Sequence, residues 1–191
     1  MKAVCLLGSP RTKGNSATLA NHFMQAMQQA GVETKSFALN NLTYRGCQAC
    51  YLCKTKADHC VLEDDLNPVL EAVMQTDILV MATPVYFGNV SSQLKTFFDR
   101  TFSFLVPDYH VASYKSRLAP GKKSVFIMCQ GNPDENRFTD VFPNLEFFLQ
   151  WFGFAENHLI RACGVRDQGE VRGHDAFFRQ IEDVARQVLQ R

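Results

Sequence analysis

The sequence predicts an α/β domain built on a five-stranded parallel sheet, strand order 2-1-3-4-5, with helices on both faces. Three observations lead there. Apolar runs of strand length alternate strictly with segments of helical period, five of each. The first run, "KAVCLLGS", is a short apolar stretch and the third, "ILVMATPVY", the most apolar of the chain, as expected of strands buried on both faces. Strict β/α alternation also requires crossover connections, and these make neighbouring strands parallel. In such a sheet ligands are expected at the carboxyl ends of strands 1, 3 and 4.

The elements follow in order. "KAVCLLGS" is the first strand, closed by Gly-Ser-Pro. From Ser16 the period changes: Leu19, Phe23, Ala26 and Ala30 recur on one helix face, and Gly31 ends it. Val32–Leu39 forms the second strand. After a cysteine-rich segment, "DDLNPVLEAVMQTD" carries a helix, and "ILVMATPVY" is the most apolar strand of the chain. "SSQLKTFFDRTF" is helix, "KSVFIMCQG" strand, "NLEFFLQWFGF" helix and "NHLIRACGV" the last strand. "DAFFRQIEDVARQVLQ" closes the chain as an amphipathic helix bearing Phe177, Ile181, Val184 and Val188. The whole, residues 1–191, reads as a single domain with a cysteine-rich loop at 47–60 and a long connection at 103–123. Connections of that length are usually lids or subunit contacts.

Composition narrows the function. A formal net charge of +1, with 20% charged residues, gives no general attraction to nucleic acid or an acidic membrane surface. No apolar run approaches the roughly 20 residues of a membrane span. The N-terminal apolar segment is too short for a signal peptide and reads as a strand, so a cytoplasmic location is expected. Seven cysteines, an odd number, argue against a disulfide scaffold and toward metal or redox chemistry. The five histidines are scattered, and no nucleophile–base pair or carboxylate dyad stands out, so no catalytic side chain is assigned.

Two loops carry binding chemistry. "GSPRTKGNSATL" after the first strand is neither G-x-G-x-x-G nor a Walker loop. It nonetheless offers donors from Ser9, Asn15 and Ser16, positive charge from Arg11 and Lys13, a close-approach Gly14 and a helix N-terminus, which together suit a phosphate. "TPVYFGNVSSQLKTFFDR" after the third strand has Pro84 to end the strand, Tyr86 and Phe87 as flat apolar surface, and Gly88 for a tight turn. One of those two rings is expected in the core. Both stretches resemble the signatures of NADPH-dependent FMN reductase-like proteins of the flavodoxin superfamily, over residues 1 to about 131. The resemblance implies a flavodoxin-like fold and non-covalent FMN, with the isoalloxazine held by Pro84, Val85, Tyr86, Phe87, Gly88 and Asn89. Gln130 and Gly131, at the carboxyl end of the fourth strand, would edge the flavin. NAD(P)H is the implied electron donor, and a homodimer or homotetramer the implied assembly.

"CQACYLCKTKADHC" places Cys47, Cys50, Cys53 and Cys60 within fourteen residues. Spacing alone leaves four readings: an iron–sulfur cluster as in the bacterial ferredoxin run, a zinc site, a working C-x-x-C thiol pair, or idle thiols. Cys5, Cys129 and Cys163 lie on expected strands and read as small buried hydrophobes. The cysteine spacing, with the following "EDDL", is similar to that of the iron–sulfur flavoproteins, a subgroup of the same family. That resemblance implies a [4Fe–4S] cluster on Cys47, Cys50, Cys53 and Cys60. The expected function is an FMN-dependent oxidoreductase passing electrons between a one-electron donor, such as ferredoxin, and a small acceptor. A cluster-free NAD(P)H-dependent FMN or quinone reductase and a non-catalytic flavodoxin-like carrier are the rivals. The aromatic run Phe147–Phe154 is expected to divide between core and subunit interface.

Overall fold

A computed structural model describes residues 1–190. The strands are β1 (Lys2–Leu7), β2 (Glu33–Ala38), β3 (Ile78–Tyr86), β4 (Asn89–Val90), β5 (Lys122–Cys129) and β6 (Phe154–Ala162). The five long strands are all parallel, in the order β2-β1-β3-β5-β6, which is the expected 2-1-3-4-5 topology. The two-residue β4 is an addition, pairing antiparallel with the end of β3. Helices α1 (Asn15–Gln29) and α6 (Asp175–Leu189) cover one face. Helices α3 (Asn67–Gln75), α4 (Ser92–Arg100) and α5 (Val141–Trp151) cover the other, and α2 (Leu52–Thr55) is a single turn inside the cysteine segment. No helix among the described residues is long and apolar enough to cross a membrane.

The central strand shows why continuous apolar runs were required. Along β3, Leu79 and Met81 enter the core under α3–α5, whereas Ile78, Val80 and Ala82 enter the core under α1 and α6. Ile78 to Thr83 are all buried because side chains alternate between two covered faces. Each core also takes large rings, among them Phe23 on one side and Phe97 and Phe126 on the other. Burying such a side chain is worth about 1.5–3 kcal/mol.

The expected boundary between the fifth helix and the last strand is corrected. Helix α5 starts at Val141, ends at Trp151, and β6 begins at Phe154, three residues before the expected Asn157. Gly153 makes the break with φ +95, a left-handed conformation that stops the helix and turns the chain into the strand. Apolar residues on both sides of that glycine hide the boundary from a periodicity argument. The aromatic run divides between core and surface: Phe152 and Phe154 are buried, and Phe147 and Phe148 are exposed. Cys5 and Cys129 are core thiols, each pushed up to about 12 by burial. Cys163 departs from expectation, lying half-buried just beyond the end of β6.

Candidate functional site

Three loops meet at the carboxyl edge of the sheet. The first, Gly8–Gly14, follows β1. Ser9 is buried, and its Oγ accepts a hydrogen bond from the Arg11 N–H at 3.1 Å. A Cβ on Gly14 would lie 3.0 Å from the Arg11 carbonyl oxygen and 3.1 Å from Ser9 Oγ, so the curl of the loop requires a glycine there. Gly14 caps α1, and no side chain accepts from the first turn. The leading N–H groups of α1 therefore point into the loop with the positive end of the helix dipole, beside exposed Arg11 and Lys13. Ser16 is buried in that first turn.

Asn15 has other partners than a phosphate. Its Nδ2 donates to the Asp167 carbonyl at 2.9 Å and its Oδ1 accepts from the Val171 N–H at 3.2 Å. The side chain ties α1 to the segment after β6. Arg11 reaches the same segment, donating from Nη1 to the Arg166 carbonyl at 3.3 Å.

The second loop is a hairpin. Val85 pairs with Val90 and Tyr86 with Asn89, around a two-residue turn in which Phe87 has φ 49 and Gly88 φ 76. Two consecutive positive φ values describe a type I′ turn, whose first position favours Asn or Gly; a phenylalanine there is strained. Neither ring is in the core: Phe87 is fully exposed and Tyr86 nearly half exposed. Phe87 is thus a strained aromatic exposed to solvent at the carboxyl edge of the sheet.

Ser91 locks these two loops together. Its Oγ donates to the Gly8 carbonyl at 2.6 Å and accepts from the Leu94 N–H at 3.4 Å, capping α4. Its N–H donates to Thr83 Oγ1 at 3.0 Å, while the Gly8 N–H donates to the Ala82 carbonyl at 2.8 Å. Ser91 and Thr83 are completely buried. The sequence marked Ser91 only as a helix start; serine ahead of the apolar period is the cap signal, and its second partner, Gly8, is not local.

The third loop follows β5. Buried Gln130 donates from Nε2 to the Asn132 and Asp134 carbonyls at 2.9 and 3.0 Å, and its Oε1 accepts from Arg161 Nη2 at 2.7 Å. Its amide thus builds the loop. Gly131 lies against Arg166, and Phe138, itself at φ 62, lies against Gly88 of the hairpin.

The cysteine segment lies beside α4. Ala49 and Tyr51, flanking Cys50, have φ 50 and 57, which wrap the chain tightly around that cysteine. Cys47, Cys50, Cys53 and Cys60 all line one cavity of about 20 Å³, room for about one water. Cys47 and Cys50 are exposed, Cys53 buried and Cys60 half-buried. Three cations surround them. Lys54 Nζ donates to the Phe102 and Leu105 carbonyls at 2.5 and 2.7 Å and lies over the Phe102 ring; burial pushes its pKa down against the pull of the Cys53 thiol. Arg117 donates to the Cys53 carbonyl at 2.9 Å, and Arg100 Nε to Cys60 Sγ at 3.0 Å. Thiols ringed by cations suit a thiolate-ligated cluster in donor chemistry. In spacing they stop short: among the described residues, no three His, Cys, Asp or Glu side chains converge as metal ligands.

Comparison with known proteins bears on both regions. The family model described as NADPH-dependent FMN reductase matches residues 1–134. An iron-sulfur flavoprotein of Archaeoglobus fulgidus is 32% identical over 135 residues, covering 71% of this chain and 58% of its own length. One from Methanosarcina thermophila is 34% identical over 101 residues, covering 53% of this chain and 52% of its own length. This chain thus spans little more than half the length of the curated relatives it matches first. Among solved structures, the NAD(P)H:quinone oxidoreductase from Methanothermobacter marburgensis has a TM-score of 0.76 at 17% identity, covering 100% of this chain and 98% of that one. The likeness at that identity is one of fold.

Proposed function

The chain belongs to the NADPH-dependent FMN reductase family, and from that premise we propose that it is an FMN-dependent oxidoreductase. The observation that carries this reading is the joined edge at which Ser91 fastens the Gly8–Gly14 loop to the 83–91 hairpin. FMN bound there supplies hydride or single-electron chemistry. The chain's own residues do the rest. Ser9, Ser16, Arg11, Lys13 and the leading N–H groups of α1 hold the phosphate. Pro84, Val85, Tyr86, Phe87, Gly88 and Asn89 supply the surface and backbone groups beside the ring. Asn15 and Gln130 act from behind, fixing the loops that make contact. Titration with FMN, followed by steady-state NAD(P)H oxidation, tests the reading. Failure to bind FMN in a folded sample overturns it.

The finer part of the proposal is a [4Fe–4S] cluster on Cys47, Cys50, Cys53 and Cys60, which would supply one-electron transfer. It is supported by the wrapped backbone around Cys50 and the cationic surround. The names of the archaeal relatives point the same way. The lack of converged ligands favours a second reading, a cluster-free NAD(P)H-dependent FMN or quinone reductase. Iron and labile-sulfide assay after anaerobic purification separates the two: FMN-replete protein with neither element is the second. The physiological donor or acceptor is inferred to be a small molecule or a ferredoxin-like protein. A homo-oligomer using exposed Phe147 and Phe148 is tested by sedimentation of the wild type against Phe147→Ser, Phe148→Ser.

A further inference from the structure

Arg100 is among the largest fully buried side chains of the protein, with a relative exposure of 1%. A buried guanidinium is costly unless its N–H groups are all met, and here they are. Nη1 donates to the Arg45 carbonyl at 2.8 Å and to Asp64 Oδ2 at 2.7 Å. Nη2 donates to Asn67 Oδ1 at 3.1 Å, Asp64 Oδ1 at 3.3 Å and the Leu62 carbonyl at 3.4 Å. Nε donates to Cys60 Sγ at 3.0 Å. Asp64 in turn accepts from the Arg45 N–H at 3.2 Å and the Leu66 N–H at 3.1 Å. One side chain on the rigid helix α4 therefore closes residue 45 onto residues 62–67, the two ends of the cysteine loop, and touches one of its sulfurs.

We propose that Arg100 is the positioning residue of the cysteine segment: it closes the loop before any metal arrives and donates a hydrogen bond to the Cys60 sulfur. The first half needs no cluster. The second rests on the cluster reading above, and there it sets a direction. Hydrogen bonds to ligand sulfurs are among the factors that set a cluster's potential. A donor stabilises the more negative, reduced form, so Arg100 raises the potential.

Two measurements test the halves separately. In iron-free, FMN-loaded protein, hydrogen–deuterium exchange is followed for peptides covering residues 46–62 and, as a fold control, β1 and β3. Arg100→Lys keeps the charge and loses the fork; it is expected to speed exchange in 46–62 about tenfold, the equivalent of one lost charge-assisted hydrogen bond, with the strands unchanged. Unchanged exchange in 46–62 overturns the proposal. Should Arg100→Lys disturb the strands, Asp64→Asn is read instead, which removes the closing ion pair and keeps the guanidinium. Unaltered exchange there is equally fatal. In anaerobically reconstituted protein, the midpoint potential read by electron paramagnetic resonance is expected to fall in Arg100→Lys and to hold in Asn67→Ala, which loses a partner of Arg100 remote from sulfur. Equal potentials in wild type and Arg100→Lys overturn the tuning role. A wild type that takes up no iron sinks the cluster reading and leaves the exchange result standing.

Discussion

The edge proposed to bind FMN and the cysteine segment are anchored differently. At the edge, the loops grow directly from β1 and β3; the Gly8 N–H bonds the Ala82 carbonyl, and the short buried side chains of Ser91 and Thr83 complete the joint. The cysteine segment contains no strand and one helical turn, and it hangs on the side chains of Arg100, Lys54 and Arg117. A site made from strand ends inherits the rigidity of the sheet. A site held by side chains can be loosened without touching the sheet. The two regions should therefore respond independently to mutation.

The largest expected effect is at the cysteines. Cys50→Ala should abolish cluster absorbance and bound iron while FMN stays bound in full; loss of FMN along with iron would show the two regions to be coupled. Next comes the joint of the edge. Ser91→Ala leaves the Gly8 carbonyl without its donor and α4 without its cap, and should cost about 1–3 kcal/mol in denaturant unfolding. FMN affinity should fall with it, whereas exchange in residues 46–62 should not move. Replacing Ser9 and Asn15 together by alanine should weaken FMN by about tenfold, as one charge-assisted contact is lost and the loop loosens. Unaltered affinity in a calorimetric titration would place the phosphate elsewhere.

Two smaller effects sharpen the contrast further. Burial raises the Asp64 pKa, but the Arg100 hydrogen bond and the Arg45 and Leu66 N–H groups more than reverse it, so the carboxyl stands below its ordinary range. A depressed carboxylate stabilises the fold fully above its ordinary pKa and loses that contribution as pH falls through the lower, folded value. Acid should thus loosen residues 45–67 below about pH 4, and Asp64→Asn should flatten that dependence in exchange measurements. Phe87→Asn removes no buried surface and relieves a left-handed bulky residue, so it should stabilise the protein by about 1 kcal/mol. Weaker FMN binding in the same variant would identify the strain as functional; a loss of stability would show the ring to be structural.

How much of this was legible in the sequence divides along the same line. Strand and helix identity depend on period and on local stops, so alternation of apolar runs sufficed for topology. The bounds around Gly153, flanked by aromatics, were misplaced: α5 begins earlier than expected, and β6 begins and ends three residues before the expected last strand, which leaves Cys163 outside it. The two loops were legible because a helix N-terminus and a turn are made by consecutive residues. The short strand β4 was not, because a bulky Phe87 occupies the turn position where Asn or Gly would have announced a hairpin.

By itself, then, the sequence determined the parallel sheet, its two cores, the loops at its carboxyl edge and the presence of four neighbouring cysteines. The tertiary structure alone decided which polar side chains face a ligand and which build the site from behind. Asn15 finds its acceptor 152 residues away, Ser91 bonds Gly8 across 83, and Arg100 reaches Cys60 across 40. Periodicity reports on neighbours within a turn or a strand. Partners brought together by the crossover connections of a parallel sheet leave no trace in local spacing.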